Sequence, residues 1–267
     1  MNRPVNPAAP EQLSPGDDGS AGRVAIVTGG ASGMGLSVCR RLAACGDRVA
    51  VFDLDGTAAE RAAEELRAAG GTAMAFEVDV TDRALVDEAV GKVRAAWGPV
   101  RVLVTSAGVF AFEPFTEISA ESWRRILDVN LNGTFHCIQA VIPDMIAAGW
   151  GRIVTISSSS AQRGSPKMVH YTASKGAVIA MTKALAREYA HCGITVNTIP
   201  PSGIDTPMSR VSQAAGHLPD NETMARAIPV GYLGSGADIA AACVFLCSAE
   251  ARFITGQVIG VNGGAVI

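Results

Sequence analysis

Tyr171 and Lys175 stand four residues apart in Tyr171-Thr-Ala-Ser-Lys175, within an Ala-rich stretch that reads as helix over 169–191. That spacing puts a phenol and an ammonium on one helical face. A nearby ammonium favours the phenolate and draws its pKa down from about 10 toward neutrality. Such a group can exchange a proton with an alcohol or ketone oxygen. The pair alone is common on protein surfaces, so its neighbours matter. Four consecutive serines, Ser157 to Ser160, follow the β-branched run Arg152-Ile-Val-Thr-Ile156, and Asn130 lies in a helical stretch further upstream. Strand alternation turns Ser157 and Ser159 away from the face that Ser158 shares with a partner. His170, although adjacent to Tyr171, points elsewhere on a helix and reads as structural.

A second constellation lies near the N-terminus. The run 24–28 passes directly into Gly29-Gly30-Ala31-Ser32-Gly33-Met34-Gly35, and an amphipathic helix follows. Glycines let the backbone approach a pyrophosphate, and the helix start offers free N–H groups and the positive end of a dipole. An acidic residue at the end of the next strand completes a dinucleotide-binding pattern, and Asp53 fills that position. Its carboxylate can accept from both adenosine ribose hydroxyls and repels a 2′-phosphate. With Ser32 uncharged and no Arg or Lys between Asp53 and Arg61, the sequence points to NAD(H) over NADP(H).

These residues need a scaffold. Short β-branched runs at 24–28, 48–53, 72–78, 101–105, 152–157, 195–199 and 257–261 alternate with helical stretches at 36–45, 57–69, 83–97, 120–148 and 169–191. The alternation predicts an α/β fold, a Rossmann-like, doubly wound parallel sheet of about seven strands with helices on both faces. No composition break divides 23–267, so one catalytic domain is expected there. Residues 1–22, rich in Pro, Gly and Asp, read as a disordered tail without a signal-peptide core.

The composition agrees. The 267 residues carry a net charge of −3 with a pI near 5.8, which gives no basic footprint for nucleic acid. Hydrophobic residues make up 48%, yet the longest apolar run, 239–247, is about half a membrane span, so no membrane partner is expected. The six cysteines show no metal-ligand spacing and read as reduced thiols of a cytoplasmic protein.

Together these motifs resemble the short-chain dehydrogenase/reductase family, over about 245 residues. The resemblance includes the TGxxxGxG turn from Thr28 to Gly35, the Asp79-Val80 pair, Ala107-Gly108, the ordered set Asn130, Ser158, Tyr171 and Lys175, and the C-terminal Ile254-Thr255-Gly256-Gln257 and Val261-Asn262-Gly263-Gly264. It implies Tyr171 as general acid/base, Lys175 lowering the phenol pKa and binding the nicotinamide ribose, and Ser158 holding the substrate oxygen. It implies that Asn130 kinks its helix and positions a water. Gly29, Ser32, Gly33, Met34, Gly35 and Asp53 would bind the cofactor, with Asp79 and Val80 at the adenine. Ser106, Ala107 and Gly108 would border it, and Pro201, Ile204 and Thr206 would meet the nicotinamide end. Two positions depart from the pattern: Ser106 replaces the usual Asn, and Ser202 replaces the usual Gly, where a positive φ would strain a serine.

On the substrate side, proline-punctuated residues after Thr206 read as a lid, and Phe110, Phe112, Met168 and Met208 as an apolar wall. The expected reaction is hydride transfer between NAD(H) and a hydrophobic secondary alcohol or ketone, with no metal. A 3-oxoacyl-thioester reductase is the enzymatic alternative, and a non-catalytic dinucleotide-binding regulator the alternative of another class. The apolar helix opened by Ser235 and Asp238, with the last strand, faces a partner subunit in the family, which implies a homotetramer.

Overall fold

The computed structural model describes residues 22–267, so the expected tail, apart from Gly22, lies outside the described residues. Six parallel strands form one sheet: β1 (Val24–Thr28), β2 (Arg48–Asp53), β3 (Thr72–Glu77), β4 (Val100–Thr105), β5 (Gly151–Ile156) and β6 (Ile194–Ile199), in the order β3-β2-β1-β4-β5-β6. The intervening helices are α1 (Gly33–Ala44), α2 (Gly56–Ala68), α3 (Arg83–Trp97), α4 (Ala120–Leu127), α5 (Gly133–Ala148), α6 (Ser160–Arg163), α7 (Val169–Tyr189), α8 (Pro207–Ala214), α9 (Asn221–Arg226) and α10 (Gly236–Leu246).

Alternation along the strands feeds two cores. Ala25 and Val27 pack with Leu42 of α1, Ala63 of α2 and Ile239 of α10 on one face. Val24 and Ile26 pack with Val90 of α3, Val141 of α5 and Ala186 of α7 on the other. This double cover is why the strands read as continuous apolar runs. The chain goes from β1 to β2 on one side and later returns to β4 on the other. The carboxyl ends of β1 and β4 therefore open a crevice at the switch in strand order, the usual ligand site of such sheets.

Two expectations need correcting. The seventh strand shrinks to one parallel bridge between Thr198 and Val258. Backbone and side chains share the rest of that edge: Gly256 N donates to Val196 O at 2.8 Å, while Asn197 bonds Ile254 O and Gln257 N, and Thr255 Oγ1 accepts from Val196 N. The N–H groups of Val196 and Gln257 are thus diverted to side chains, which interrupts the ladder on either side of the bridge. The stretch read as one helix over 120–148 is also divided, α4 from α5 by a π turn at Asp128–Asn132.

The far end of the sheet holds a buried charge cluster. Arg23 makes a bidentate pair with Asp47, both bonds 2.8 Å, and donates to Cys247 O at 2.7 Å. Arg152 donates to Ser248 O at 3.2 Å and lies over the Trp150 ring at 4.3 Å. Two guanidiniums thus meet the carbonyls just beyond α10, where the dipole's negative end attracts cations.

Candidate active site

The first turn of α7 brings Tyr171 to the mouth of β5, and one turn later Lys175 points under it. Lys175 is buried, donates to Ile156 O at 2.9 Å, and its Nζ lies 5.9 Å from the Tyr171 ring centre. Burial brings its pKa down to about 8. Tyr171 does not show the net lowering that the phenol–ammonium spacing suggests. Burial pushes its pKa up, and a hydrogen bond with Ser158 offsets only part of that. The water-poor pocket penalises phenolate and ammonium alike, and Lys175 spends a bond on a carbonyl.

The serine run sorts itself by partner. Ser157 Oγ accepts from Thr198 Oγ1 at 2.9 Å and so faces β6, whereas Ser158 faces Tyr171. Ser158 Oγ also accepts from Ser160 N at 3.1 Å, which fixes the hydroxyl beside the phenol. Alternation stops there, since β5 ends at Ile156 and Ser159 is already in helical conformation.

Asn130 sits on the π turn, fully buried. Its Oδ1 accepts from Val109 N at 2.8 Å, and its Nδ2 donates to Val109 O at 2.9 Å and Ser174 Oγ at 3.0 Å. The extra residue in the π turn turns this amide inward, so Asn130 ties the segment after β4 to α7. Gly108 lies between: a Cβ there would be 3.1 Å from Asn130 Oδ1 and 3.3 Å from Lys175 Nζ.

A cavity of about 280 Å³ runs across the crevice and reaches this corner at Gly108 and Val109, with Ser158, Tyr171 and Lys175 outside its lining. Gly29, Ser32, Gly33, Met34, Gly35 and Asp53 line one part of it. Asp79, Val80, Ser106, Ala107, Gly108 and Thr206 line the rest. Pro201 and Ile204 fall outside the lining, and Ile204 is engaged in a bridge with Gly234. Leu54, Val129 and Pro207 also border the cavity and carry no motif that could have signalled them.

At Gly29, Gly30 and Gly35 the glycine turn is packed too closely for side chains. A Cβ on Gly29, whose φ is +63°, would lie 2.8 Å from Ala107, and one on Gly35 would lie 2.1 Å from Gly29 O. This backbone-walled cradle at the start of α1 fits a dinucleotide pyrophosphate. Asp53 Oδ2 accepts from Ala31 N at 3.0 Å and Oδ1 from Asp55 N at 3.2 Å, so the carboxylate is anchored at the cavity edge. Asp79 Oδ1 accepts from Thr81 N and Oγ1 at 2.9 and 2.8 Å. Thr206 caps α8 through Ser209.

Both departures from the family pattern are accommodated. Ser106 N still bonds Thr28 O at 3.1 Å, and Ala107 N bonds Thr28 Oγ1 at 3.2 Å. The strain expected at Ser202 is absent, because the positive φ falls one residue later, at Gly203 with +60°.

On the open side of Tyr171, Phe110 lies edge-on at 5.8 Å and Phe112 edge-on to Phe110 at 5.6 Å. Phe112 in turn stacks on His217, rings 5.1 Å apart and 18° from parallel. Sequence reasoning missed His217, whose only signal was the Gly216 before it at the end of a short helix. Met168 is buried at the N-terminus of α7, whereas Met208 is half exposed and borders the crevice cavity. His170 is wholly buried, with both ring nitrogens unbonded and the Glu113 carboxylate 3.8 Å away.

A doubly wound sheet with a backbone cradle at β1, and a Ser–Tyr–Lys corner beyond it, defines a dinucleotide-binding oxidoreductase architecture. Residues 29–266 match the family model described as enoyl-(acyl carrier protein) reductase. The chain is 38% identical over 247 residues to 2-dehydro-3-deoxy-L-rhamnonate dehydrogenase (NAD(+)) from Sphingomonas sp. (strain SKA58), covering 91% of this chain and 95% of that one. It is 36% identical to the 3-oxoacyl-[acyl-carrier-protein] reductase FabG of Thermotoga maritima, covering 92% and 98%. The crystal structure of gox2181 superposes with a TM-score of 0.87 at 34% identity, covering 92% of this chain and 96% of that one. The chain belongs to the short-chain dehydrogenase/reductase family of oxidoreductases.

Proposed function

We propose that the chain is an NAD(H)-dependent dehydrogenase/reductase acting on a hydrophobic secondary alcohol or its ketone. The observation that carries this reading is the placement of Tyr171 beside Ser158 and above Lys175, next to a cavity whose other rim bears Asp53. Ser158 and Tyr171 hold the substrate oxygen between two hydroxyls. In reduction Tyr171 Oη gives up its proton as the carbonyl oxygen gains charge, and in oxidation the phenolate takes the hydroxyl proton. The Lys175 ammonium stabilises the phenolate in either direction. Gly29, Gly33, Gly35 and Asp53 would hold the nicotinamide cofactor along the cavity, where it would supply or accept the hydride. Asn130 serves as a brace, holding Val109 and Ser174 so that the phenol keeps its place.

Asp53 supports NAD(H): an anchored carboxylate at the rim attracts ribose hydroxyls and repels a 2′-phosphate. The relative from Sphingomonas carries NAD(+) in its name, in line with this choice. Phe110 and Phe112 beside Tyr171 support an apolar substrate. The alternative, a 3-oxoacyl-thioester reductase, draws on the Thermotoga relative. A panel of secondary alcohols and acetoacetyl thioesters, assayed with each cofactor, separates the two. The proposal expects alcohol turnover with at least tenfold preference for NAD(H). Thioester reduction with NADPH preferred overturns it. The same proposal includes a cytoplasmic location and a homotetramer, the assembly supported by the apolar side chains Phe245 and Phe253 that the single chain leaves exposed.

A further inference from the structure

His217 closes the row of rings that begins at the phenol. It is placed by local geometry. Gly216, at φ +74°, ends α8 in a left-handed turn, with His217 N bonded to Ser212 O and Gly216 N to Gln213 O, both 2.9 Å. This double bond pattern fixes the direction in which the chain leaves the helix. Gln213 Nε2 then bonds Pro219 O and Asn221 Oδ1, which ties the turn to α9. The end of α8, the His217 turn and the start of α9 are thus joined by hydrogen bonds. That ring is exposed on one face and stacked on Phe112 with the other.

We propose that His217 is a specificity-determining residue: by latching α8–α9 onto Phe112 it sets the width of the space in front of Tyr171. Phe112 touches Phe110, and Phe110 touches Tyr171, so the lid's position and the wall beside the reacting oxygen are mechanically one. A single aromatic contact of this type biases an open–closed equilibrium by roughly two- to tenfold, enough to hold a lid and weak enough to release it. The kinetic consequence rests on the alcohol-dehydrogenase reading. The latch itself does not.

The test compares wild type, His217→Ala, His217→Phe and Phe112→Ala. Limited trypsin digestion reads cleavage after Arg210 and Arg226, both in the lid and exposed. Steady-state kinetics with 2-propanol, cyclohexanol and a bicyclic secondary alcohol read selectivity. His217→Ala and Phe112→Ala are expected to speed lid cleavage two- to tenfold and to shift kcat/KM toward the bulkier alcohol. His217→Phe, which keeps the stack, is expected to restore both. Unchanged cleavage and selectivity in His217→Ala, or a His217→Phe variant as impaired as His217→Ala, overturns the proposal. Faster cleavage with no alcohol turned over by wild type supports the latch and counts against the alcohol reading alone.

Discussion

At the scale of single residues, the site sets a buried ammonium against stability. Lys175 has its pKa lowered to about 8 by burial, from an ordinary value of 10.5. The unfolded chain therefore binds more protons between those values, and this group makes stability rise with pH across that window. Below about pH 8 both states are protonated and the full penalty applies. Lys175→Met removes the charge, so at pH 7 its Tm is expected to equal or exceed that of wild type while turnover is lost. Its advantage should shrink between pH 8 and 10. A Met variant several degrees less stable at pH 7 contradicts this account of Lys175.

His170 offers a cleaner contrast. Two buried ring nitrogens without partners each cost about 1–3 kcal/mol. His170→Leu is expected to keep turnover within about twofold and to raise or hold the Tm, as thermal unfolding and the alcohol assay can report. A tenfold loss of kcat shows that the ring has a role in catalysis.

At the scale of elements, the buried pair next to α10 makes the sharpest prediction. Asp47 pairs with Arg23, and among the described residues no carboxylate pairs with the neighbouring buried Arg152. Asp47→Asn leaves the guanidiniums unbalanced, and breaking such a pair costs about 3–5 kcal/mol. For a domain of this size that corresponds to a Tm drop on the order of 10 °C. A drop under about 2 °C indicates that the carbonyls of Cys247 and Ser248 suffice. Asn130→Ala acts on the π turn: it removes three buried bonds and frees Val109 and Ser174.

The elements also show what a sequence can disclose. Runs of Val and Ile at β1, β4 and β5 announce strands because burial on both faces leaves no room for polar residues. The last run, 257–261, also carries Val and Ile, yet the side chains of Asn197 and Thr255 divert two N–H groups at this edge and interrupt its ladder, which no local pattern predicts. Likewise the π turn rests on Asn130 meeting Val109 and Ser174, contacts at long range that helical periodicity cannot report. Gly29, Gly30 and Gly35 were legible because close approach forbids a side chain there, and Gly33 because its φ is positive. His217 was not, since its meaning depends on a ring in another loop.

At the scale of the whole molecule, two cores enclose the sheet and the crevice opens at its reversal point, so the Tyr171 corner and the glycine-walled turn are set by one topology. α10 is packed through Ile239, Ala240, Cys243 and Leu246, while Phe245 stays 45% exposed and Phe253 fully so. That residual apolar face suits a partner subunit. Light scattering at micromolar concentration is expected to give a tetramer, and Phe245→Glu to reduce its mass; a stable wild-type monomer contradicts the assembly.

The central claim is that Tyr171 exchanges the proton while the fold holds the cofactor. Tyr171→Phe, assayed for NADH binding by fluorescence and for alcohol oxidation, addresses both halves at once. The account predicts NADH affinity within about threefold of wild type and kcat reduced at least a thousandfold, within the range ascribed to general acid–base catalysis. Undiminished turnover in that variant contradicts it.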